Sequence, residues 1–269
     1  MKEIISVTVV IPCYDCASTL GRALESVLQQ TVLPEQIILI DDASNDATRE
    51  VMREFQNRYG SAWLKIVHQK QNYGPAHARN EGIRQSESDY IAFLDADDSW
   101  YPEKLEVQFR WMQCHPDVVL TGHKIMRNSS NQLKERVKEP VQVTKISRAQ
   151  ALFSNPFSTP TVMMKSNLPY RFESGQHHAE DYLLWLTVCL NNEQVYRLEV
   201  TLASIHKAAY GQSGLSGNLV VMQKGELMTY RKIYESKAIN VFQYYGLVLF
   251  SLLKFVRRVM LLRLIRKPS

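Results

Sequence analysis

Residues 93–100, with the sequence FLDADDSW, place three carboxylates within a span of four residues. At neutral pH these groups repel one another unless a cation or a hydrogen-bond donor lies among them. Asp95 and Asp97 can reach one small volume if the loop bends, and carboxylate oxygens are ligands that suit Mg²⁺ or Mn²⁺. We therefore predict a divalent metal site here, the alternative being solvated loop charges. Asp98 or Ser99 is expected to cap the helix that follows.

This loop follows one of four short apolar runs that predict β-strands: VTVVI, QIILI, WLKIVH and YIAFL. The segments between these runs are predicted to be helices. In some of them apolar side chains recur at helical spacing. Two others begin at Pro75 and Pro102, and proline is favoured at the first helical position. Ser18 or Thr19 is expected to cap the first helix. Repeated strand and helix units predict an α/β fold with a Rossmann-like, mostly parallel sheet and helices on both faces.

Ligands bind beyond the carboxyl ends of the strands in such a sheet. Polar residues follow all four predicted strands, at positions 12–15, 41–42, 72–74 and 95–98, so they should converge on one rim. The chain has neither a GxGxxG after its first strand nor a GxxxxGK[ST], which excludes the two common phosphate-binding loops. An anionic ligand at this rim would therefore be met by a metal ion.

The net charge of +5 comes from one end of the chain. Residues 254–269 hold six basic and no acidic residues, which leaves 26 basic and 27 acidic residues in the rest. A nucleic-acid-binding protein spreads basic residues over a face of its folded body, so that class is excluded. Cys13 and Cys16 form a CxxC without the second pair that a zinc site needs.

Beyond residue 115 the regular alternation fades. The stretches VVLTGHKIMRN and VQVTKI predict a strand and a hairpin, and TVMMK predicts a further strand. AEDYLLWLTVCL predicts a helix, and a long helical pattern starts at residue 218.

Five stretches, VTVVIPCYD, ILIDDASND, NYGPAHARNEGI, DYIAFLDADDSWYPEKL and AEDYLLWL, follow one another as they do in family 2 glycosyltransferases. The chain resembles the inverting, GT-A-type members of this family, in particular the single-domain enzymes that build bacterial surface polysaccharides. The resemblance implies a GT-A domain at residues 1–217, with a nucleotide-binding half at 1–115 and an acceptor half at 116–217. A helical, basic, membrane-proximal tail would follow at 218–269.

The resemblance also assigns donor-site roles residue by residue. Tyr14 would stack near the nucleobase and Asp42 would hydrogen-bond to its edge, as an aromatic face and a carboxylate can do for a uracil-like base. Asp95 would contact the ribose, and Asp97 would bind the Mn²⁺ or Mg²⁺ ion that bridges the diphosphate. The remaining donor-side residues implied by the resemblance are Pro12, Arg79 and Asn80. For Arg79 the alternative is an exposed charge on a helix.

An inverting transfer also needs a carboxylate that takes the proton of the acceptor hydroxyl. The resemblance places Asp181 in this position, with Glu180 beside it, whereas the alternative is that both acids only favour the helix N-terminus. His206 resembles a family position near the metal or the diphosphate, and a structural histidine is the alternative. No QxxRW follows Asp181, so a single-addition enzyme is predicted rather than a processive synthase.

The C-terminal tail has an apolar run of residues 244–253, which is too short for the ~20 residues of a membrane span. On a helical wheel its basic residues fall on two sides, so no single amphipathic stripe is predicted. Charge segregation still predicts peripheral attachment to an anionic membrane surface, and packing on the body or on a partner subunit is the alternative. The N-terminus lacks the pattern of a secretory signal, so we expect a cytoplasmic location on the inner membrane.

Together these features predict a metal-dependent, inverting transfer of a sugar from a UDP-linked donor to a lipid-linked saccharide in surface-polysaccharide synthesis. Transfer of the first sugar to a polyprenyl phosphate is the alternative reaction. A non-catalytic scaffold that binds a nucleotide sugar is the alternative of another class.

Overall fold

The computed structural model describes residues 2–127, 140–176, 178–206 and 218–265, with side chains to residue 261 in the last helix. Nine strands and eight α-helices are formed by these residues. The strands are β1 (Ile4–Cys13), β2 (Leu33–Asp41), β3 (Leu64–His68), β4 (Tyr90–Phe93), β5 (Asp98–Trp100), β6 (Val118–Arg127), β7 (Val143–Lys145), β8 (Met163–Lys165) and β9 (Gln194–Ile205). The helices are α1 (Ala17–Leu28), α2 (Thr48–Tyr59), α3 (Pro75–Gln85), α4 (Lys104–Cys114), α5 (Arg148–Phe153), α6 (Glu180–Leu190), α7 (Leu219–Glu235) and α8 (Val241–Ile265).

All nine strands join one mixed sheet in the order β3-β2-β1-β4-β8-β6-β9-β5, and β7 pairs with β9. The first four strands are parallel, and their helices cross over between them, which confirms the predicted α/β fold. Strand β8 runs antiparallel to both β4 and β6, so it connects the parallel half to the second half of the chain. The carboxyl ends of β1, β2 and β4 therefore meet at one edge.

Helix α3 packs unusually close to the central strand because it carries a glycine at the contact. A Cβ atom on Gly82 would lie 2.3 Å from Val10 Cγ1, which is closer than van der Waals contact allows. Arg79, about one helical turn before Gly82 on α3, is buried.

Several local predictions are wrong. Asp98 and Ser99 do not cap a helix, because residues 98–100 pair with β9 as strand β5 and α4 begins only at Lys104. Helix α1 begins at Ala17, before the predicted caps Ser18 and Thr19. The segment VQVTKI does not form a hairpin with β6, since β7 pairs with β9 instead. The polar stretch 128–139 between β6 and β7 lies outside the described residues.

The C-terminal helical pattern divides into two helices that pack against the body. Tyr230 of α7 and Leu247 of α8 belong to the same buried cluster as Tyr182 and Trp185 of α6. Gly225 permits the contact of α7 with the body, because a Cβ atom there would lie 2.7 Å from the carbonyl oxygen of His178. The part of the chain that the structure describes contains no helix long and apolar enough to cross a membrane.

Helix α8 has a second apolar face that points away from the body. Most of its side chains recur at intervals of three or four residues, and Phe242 and Tyr245 are 85% and 65% exposed. The apolar residues of α8 are therefore divided between a face buried on the body and a face open to solvent. We call the latter the exposed row of α8, and it comprises Phe242, Tyr245, Leu249, Leu252, Leu253, Val256 and Met260.

Candidate active site

A cavity of about 570 Å³ lies at the edge where β1, β2 and β4 end. This volume is typical of sites that hold small molecules. The side chains that line it come from all four polar segments of the predicted rim and from the start of α6. We call it the donor cavity. Its lining includes most of the predicted site residues: Pro12, Tyr14, Asp42, Arg79, Asp95, Asp97 and Glu180.

Tyr14 and Asp42 form one end of the donor cavity. Tyr14 follows β1 and is 47% exposed, so a face of its ring is available for stacking. The two carboxylate oxygens of Asp42 each accept a 2.8 Å hydrogen bond, from the backbone N–H groups of Tyr73 and Gly74. Asp42 therefore holds the backbone of residues 73–74, in the third polar segment of the rim. Its oxygens retain lone pairs that can accept a further hydrogen bond.

The neighbouring Asp41 has a purely structural role. Burial alone would raise the pKa of Asp41, but hydrogen bonds from His68 and Ser44 lower it to about 2. Arg49 Nε adds an ion pair at 2.6 Å. Asp41 thus stays ionised and ties the ends of β2 and β3 to the start of α2, which holds Asp42 in place.

Arg79 is the charged centre of the donor cavity. It is buried, and its guanidinium pairs with Asp95 Oδ1 at 2.8 Å and with Glu180 Oε1 at 2.9 Å. Although burial alone would lower the pKa of Arg79, the charges of these two carboxylates raise it above its usual value. The alternative of an exposed helix charge is therefore wrong. Arg79 joins the loop after β4 to the start of α6, which lies about a hundred residues further along the chain.

The candidate metal ligands are Asp97 and His206. Asp97 lines the donor cavity, and Arg22 Nη2 donates to its carbonyl oxygen at 2.7 Å, whereas His206 is not part of the lining. His206 Nε2 lies 2.8 Å from Ser99 Oγ. Burial and the charge of Arg22 lower the pKa of His206, against the opposing charge of Asp97, so the imidazole is neutral at pH 7.

These residues fit a divalent ion that also binds phosphate. Among the described residues no cluster of three or more His, Cys, Asp or Glu side chains could hold a metal. Asp95 is paired with Arg79, Asp97 lines the same cavity, and the charge of Asp97 acts on the imidazole of His206. Mg²⁺ binds through one or two carboxylates and takes its other ligands from water and substrate phosphates. A site with few protein ligands therefore suits a diphosphate-bridging ion.

Asn80 is not brought into this set. Its amide nitrogen donates to the Phe172 carbonyl oxygen at 2.7 Å, and its amide oxygen accepts from the Phe172 N–H at 2.9 Å. Asn80 does not line the donor cavity. Its geometry is that of a structural clamp that holds Phe172, whose ring in turn packs against the Arg79 guanidinium at 5.3 Å.

Asp181 lies beside Glu180 but lines a different cavity, of about 640 Å³, which we call the second cavity. Burial and the charge of Glu180 raise the pKa of Asp181 to about 6, whereas Arg79 opposes this shift. Asn155 Nδ2 donates to its Oδ2 at 3.2 Å, and the backbone N–H of Tyr182 donates to its Oδ1 at 2.7 Å. A carboxylate with a pKa just below neutral is well matched to act as a general base.

Sequence reasoning missed some residues that position these groups. Arg22 reaches Asp97 from α1, and Asn155 and Thr159 reach Asp181 from the segment after α5. None of them belongs to a recognisable pattern, because each contacts a residue at least 22 positions away.

The chain matches the family described as Glycosyl transferase family 2 over residues 8–175. It is 30% identical over 187 residues to the UDP-Glc:alpha-D-GlcNAc-diphosphoundecaprenol beta-1,3-glucosyltransferase WfgD of Escherichia coli. That alignment covers 69% of this chain and 70% of WfgD.

Two solved structures have the same fold. Residues 1–349 of S. aureus TarS, in complex with UDP-GlcNAc, superpose with a TM-score of 0.68 at 18% identity, over 92% of this chain and 70% of that one. The mannosyltransferase PcManGT of Pyrobaculum calidifontis, in complex with GDP-Man and Mn²⁺, superposes with a TM-score of 0.64 at 17% identity, over 86% and 64%. Together with the match over residues 8–175, these comparisons establish that the chain is a GT-A-type enzyme and belongs to glycosyl transferase family 2.

Proposed function

We propose that this glycosyltransferase carries out an inverting, metal-dependent transfer of a sugar from a UDP-linked donor to a lipid-linked saccharide in bacterial surface-polysaccharide synthesis. One observation carries the proposal. Two adjacent residues at the start of α6 face two cavities: Glu180 lines the donor cavity and Asp181 lines the second cavity. The donor and the acceptor would meet at this boundary, with Asp181 on the acceptor side.

The residues act in a simple order. The donor binds with its base against Tyr14 and Asp42 and its diphosphate toward Asp97. Asp181 accepts the proton of the acceptor hydroxyl, whose oxygen then attacks the anomeric carbon from the face opposite the diphosphate. A divalent ion held by Asp97 and His206 would neutralise the charge that develops on the departing diphosphate. Arg79 keeps Glu180 in place and thereby fixes where Asp181 stands.

The relatives support the donor and acceptor classes. WfgD is described as using UDP-Glc and a GlcNAc-diphosphoundecaprenol acceptor, and TarS was solved with UDP-GlcNAc. PcManGT was solved with Mn²⁺, which supports the metal dependence. A nucleotide-sugar donor together with an acceptor on a lipid carrier is therefore the reaction class that we propose.

A calorimetric titration tests the donor site. We expect UDP to bind the wild-type protein at least about tenfold more tightly with Mn²⁺ than without it, and Asp97→Ala to abolish the gain, because Asp97 lines the donor cavity as the proposed carboxylate ligand of the ion. Asp89→Ala, which removes an exposed carboxylate before β4, should keep the gain in UDP affinity that Mn²⁺ provides. Metal-independent UDP binding, or a gain that survives Asp97→Ala, would contradict the metal site.

We also propose that α8 attaches the enzyme to an anionic membrane surface. The exposed row lies opposite the face that packs on the body. The same helix carries the exposed Arg257, and also Arg258, which lines the second cavity. Apolar side chains that enter the interface, flanked by basic residues, are typical of interfacial helices. A lipid-linked acceptor would then be presented at the surface on which the enzyme rests.

Vesicle flotation tests the attachment. Leu249→Glu should lower binding to vesicles that contain phosphatidylglycerol by about tenfold, because it removes a 60% exposed leucine from the exposed row and adds a negative charge. Ile4→Glu changes a 65% exposed residue on β1 and makes the same change in charge, so it should bind like wild type. An equal loss of vesicle binding in both variants would show that the binding depends only on the net charge of the protein. Unchanged vesicle binding by Leu249→Glu would exclude α8 as the anchor.

A further inference from the structure

The second cavity carries more positive charge than a neutral sugar requires. Among the described residues, five basic and two acidic side chains line it. His123 adds no charge, since burial and the charge of Lys104 lower its pKa to about 3. The basic side chains of the lining are Lys124, Arg127, Arg197, Lys254 and Arg258.

Three of these five charges are paired within the protein. Glu199 forms ion pairs with Lys124 and Arg197, each at 3.0 Å. Lys254 Nζ pairs with Glu226 at 2.7 Å and donates to the Phe153 carbonyl oxygen.

Arg127 and Arg258 differ from the other three. Neither has an acidic partner among the residues that the structure describes. They approach the same cavity from β6 and from α8, which are distant in sequence and brought together by packing. Two guanidinium groups in the lining of one cavity supply the donors that a phosphate requires, because guanidinium binds phosphate oxygens through paired hydrogen bonds.

The position of this site relates it to both ends of the acceptor. Asp181, the proposed base, lies in the same cavity, and the exposed row of α8 lies on the same helix as Arg258. A lipid-linked saccharide would have its chain at the membrane, its phosphate beside Arg258 and its reacting hydroxyl at Asp181.

We propose that Arg127 and Arg258 bind the phosphate groups of a prenyl-diphosphate-linked acceptor. This inference rests on the proposed function and extends it, because it states which part of the acceptor the protein recognises. A cavity of about 640 Å³ has room for a diphosphate and a short saccharide, so the accepting sugar lies close to the phosphate end of the acceptor.

Binding of farnesyl diphosphate, a water-soluble prenyl diphosphate, tests the site. The titration is done with UDP and Mn²⁺ at saturation, so that the donor cavity is filled. We expect farnesyl diphosphate to bind more tightly than farnesol, and Arg258→Gln and Arg127→Gln each to weaken its binding by about tenfold, as loss of a charged hydrogen bond does. Farnesol binding should not change in either variant.

Arg257→Gln is the matched control. Arg257 precedes Arg258 on α8 and carries the same charge, but it does not line the second cavity. It should bind farnesyl diphosphate like wild type, and both glutamine variants should lose equal affinity for phosphatidylglycerol vesicles. If Arg257→Gln and Arg258→Gln weaken the binding of farnesyl diphosphate equally, the inference is overturned, because the ligand is then attracted by the overall positive charge of α8 and not by the cavity.

Two further results would overturn it. One is that farnesyl diphosphate binds no better than farnesol. The other is that Arg258→Gln weakens binding to vesicles but not to farnesyl diphosphate, which would assign the cavity to membrane head groups.

Inorganic pyrophosphate, added as a competitor, should displace farnesyl diphosphate from the wild-type protein. Absence of UDP binding would instead contradict the proposed function, and the effect of Arg258→Gln on farnesyl diphosphate can be measured without UDP.

Discussion

Replacement of Asp181 by asparagine is expected to lower the rate of sugar transfer by about 10³-fold, within the range that loss of a general base produces. Asparagine has nearly the same shape, and its Oδ1 can still accept from the backbone N–H of Tyr182, but its amide nitrogen cannot accept from Asn155 Nδ2 and cannot take a proton. Binding of UDP should be unchanged, because Asp181 does not line the donor cavity. The measurement is kcat with a UDP-sugar and a lipid-linked acceptor, together with a UDP titration.

Stability separates this effect from misfolding. The unfolding temperature of Asp181→Asn should change little, because loss of the hydrogen bond from Asn155 is offset by removal of a charge that Glu180 repels. Asp89→Asn, a control at an exposed site, should keep wild-type activity. If Asp181→Asn retains more than a tenth of wild-type activity, the base lies elsewhere. If wild type and variant are equally inactive while UDP binds, the scaffold alternative gains support.

The raised pKa of Asp181 adds a prediction about pH. The active form is the carboxylate, so activity falls as the pH drops through about 6. The ionised fraction is about nine tenths at pH 7 and about one tenth at pH 5 for this pKa, which predicts a roughly tenfold loss of kcat/KM. The residual activity of Asp181→Asn should lack this limb. A limb that persists would belong to another group, such as His206.

Replacement of Arg79 by methionine is expected to cost about 3–5 kcal/mol of unfolding free energy, the usual range for removal of one partner from a buried ion pair. The variant leaves Asp95 and Glu180 in the protein without their counter-charge. Both carboxylates line the donor cavity, so UDP binding should weaken as well. Urea unfolding and a UDP titration measure the two effects.

A second substitution identifies the cause. In Arg79→Met, Asp95 and Glu180 remain in the donor cavity without their counter-charge. Glu180→Gln, added to Arg79→Met, should restore part of the loss at pH 7.

Arg84→Met is the matched control for Arg79. Arg84 lies on the same helix, and its ion pair with Glu81 is exposed to solvent. It should unfold at the wild-type temperature, because exposed pairs contribute little to stability. If Arg79→Met were no less stable than Arg84→Met, the buried triad would not hold α3, the β4 loop and α6 together.

Local patterns were sufficient to predict the donor side of the molecule. Apolar runs identified β1 to β4, and the parallel arrangement that they imply places every strand end at one edge. Tyr14, Asp42, Asp95 and Asp97 follow these strands directly, so their convergence required no knowledge of long-range packing. The same local reasoning was wrong at Asp98 and Ser99, where pairing with β9 replaced a helix cap.

What the sequence by itself determined is thus the α/β order, the polar rim and the family. The tertiary structure decided that Arg79 is buried between two carboxylates, that Glu180 and Asp181 line different cavities, and that α8 has a covered and an exposed apolar face. It also placed Arg127 and Arg258 over one cavity. The physical reason is that burial and ion pairing depend on groups tens to hundreds of residues apart, which only the packing of the whole chain brings together.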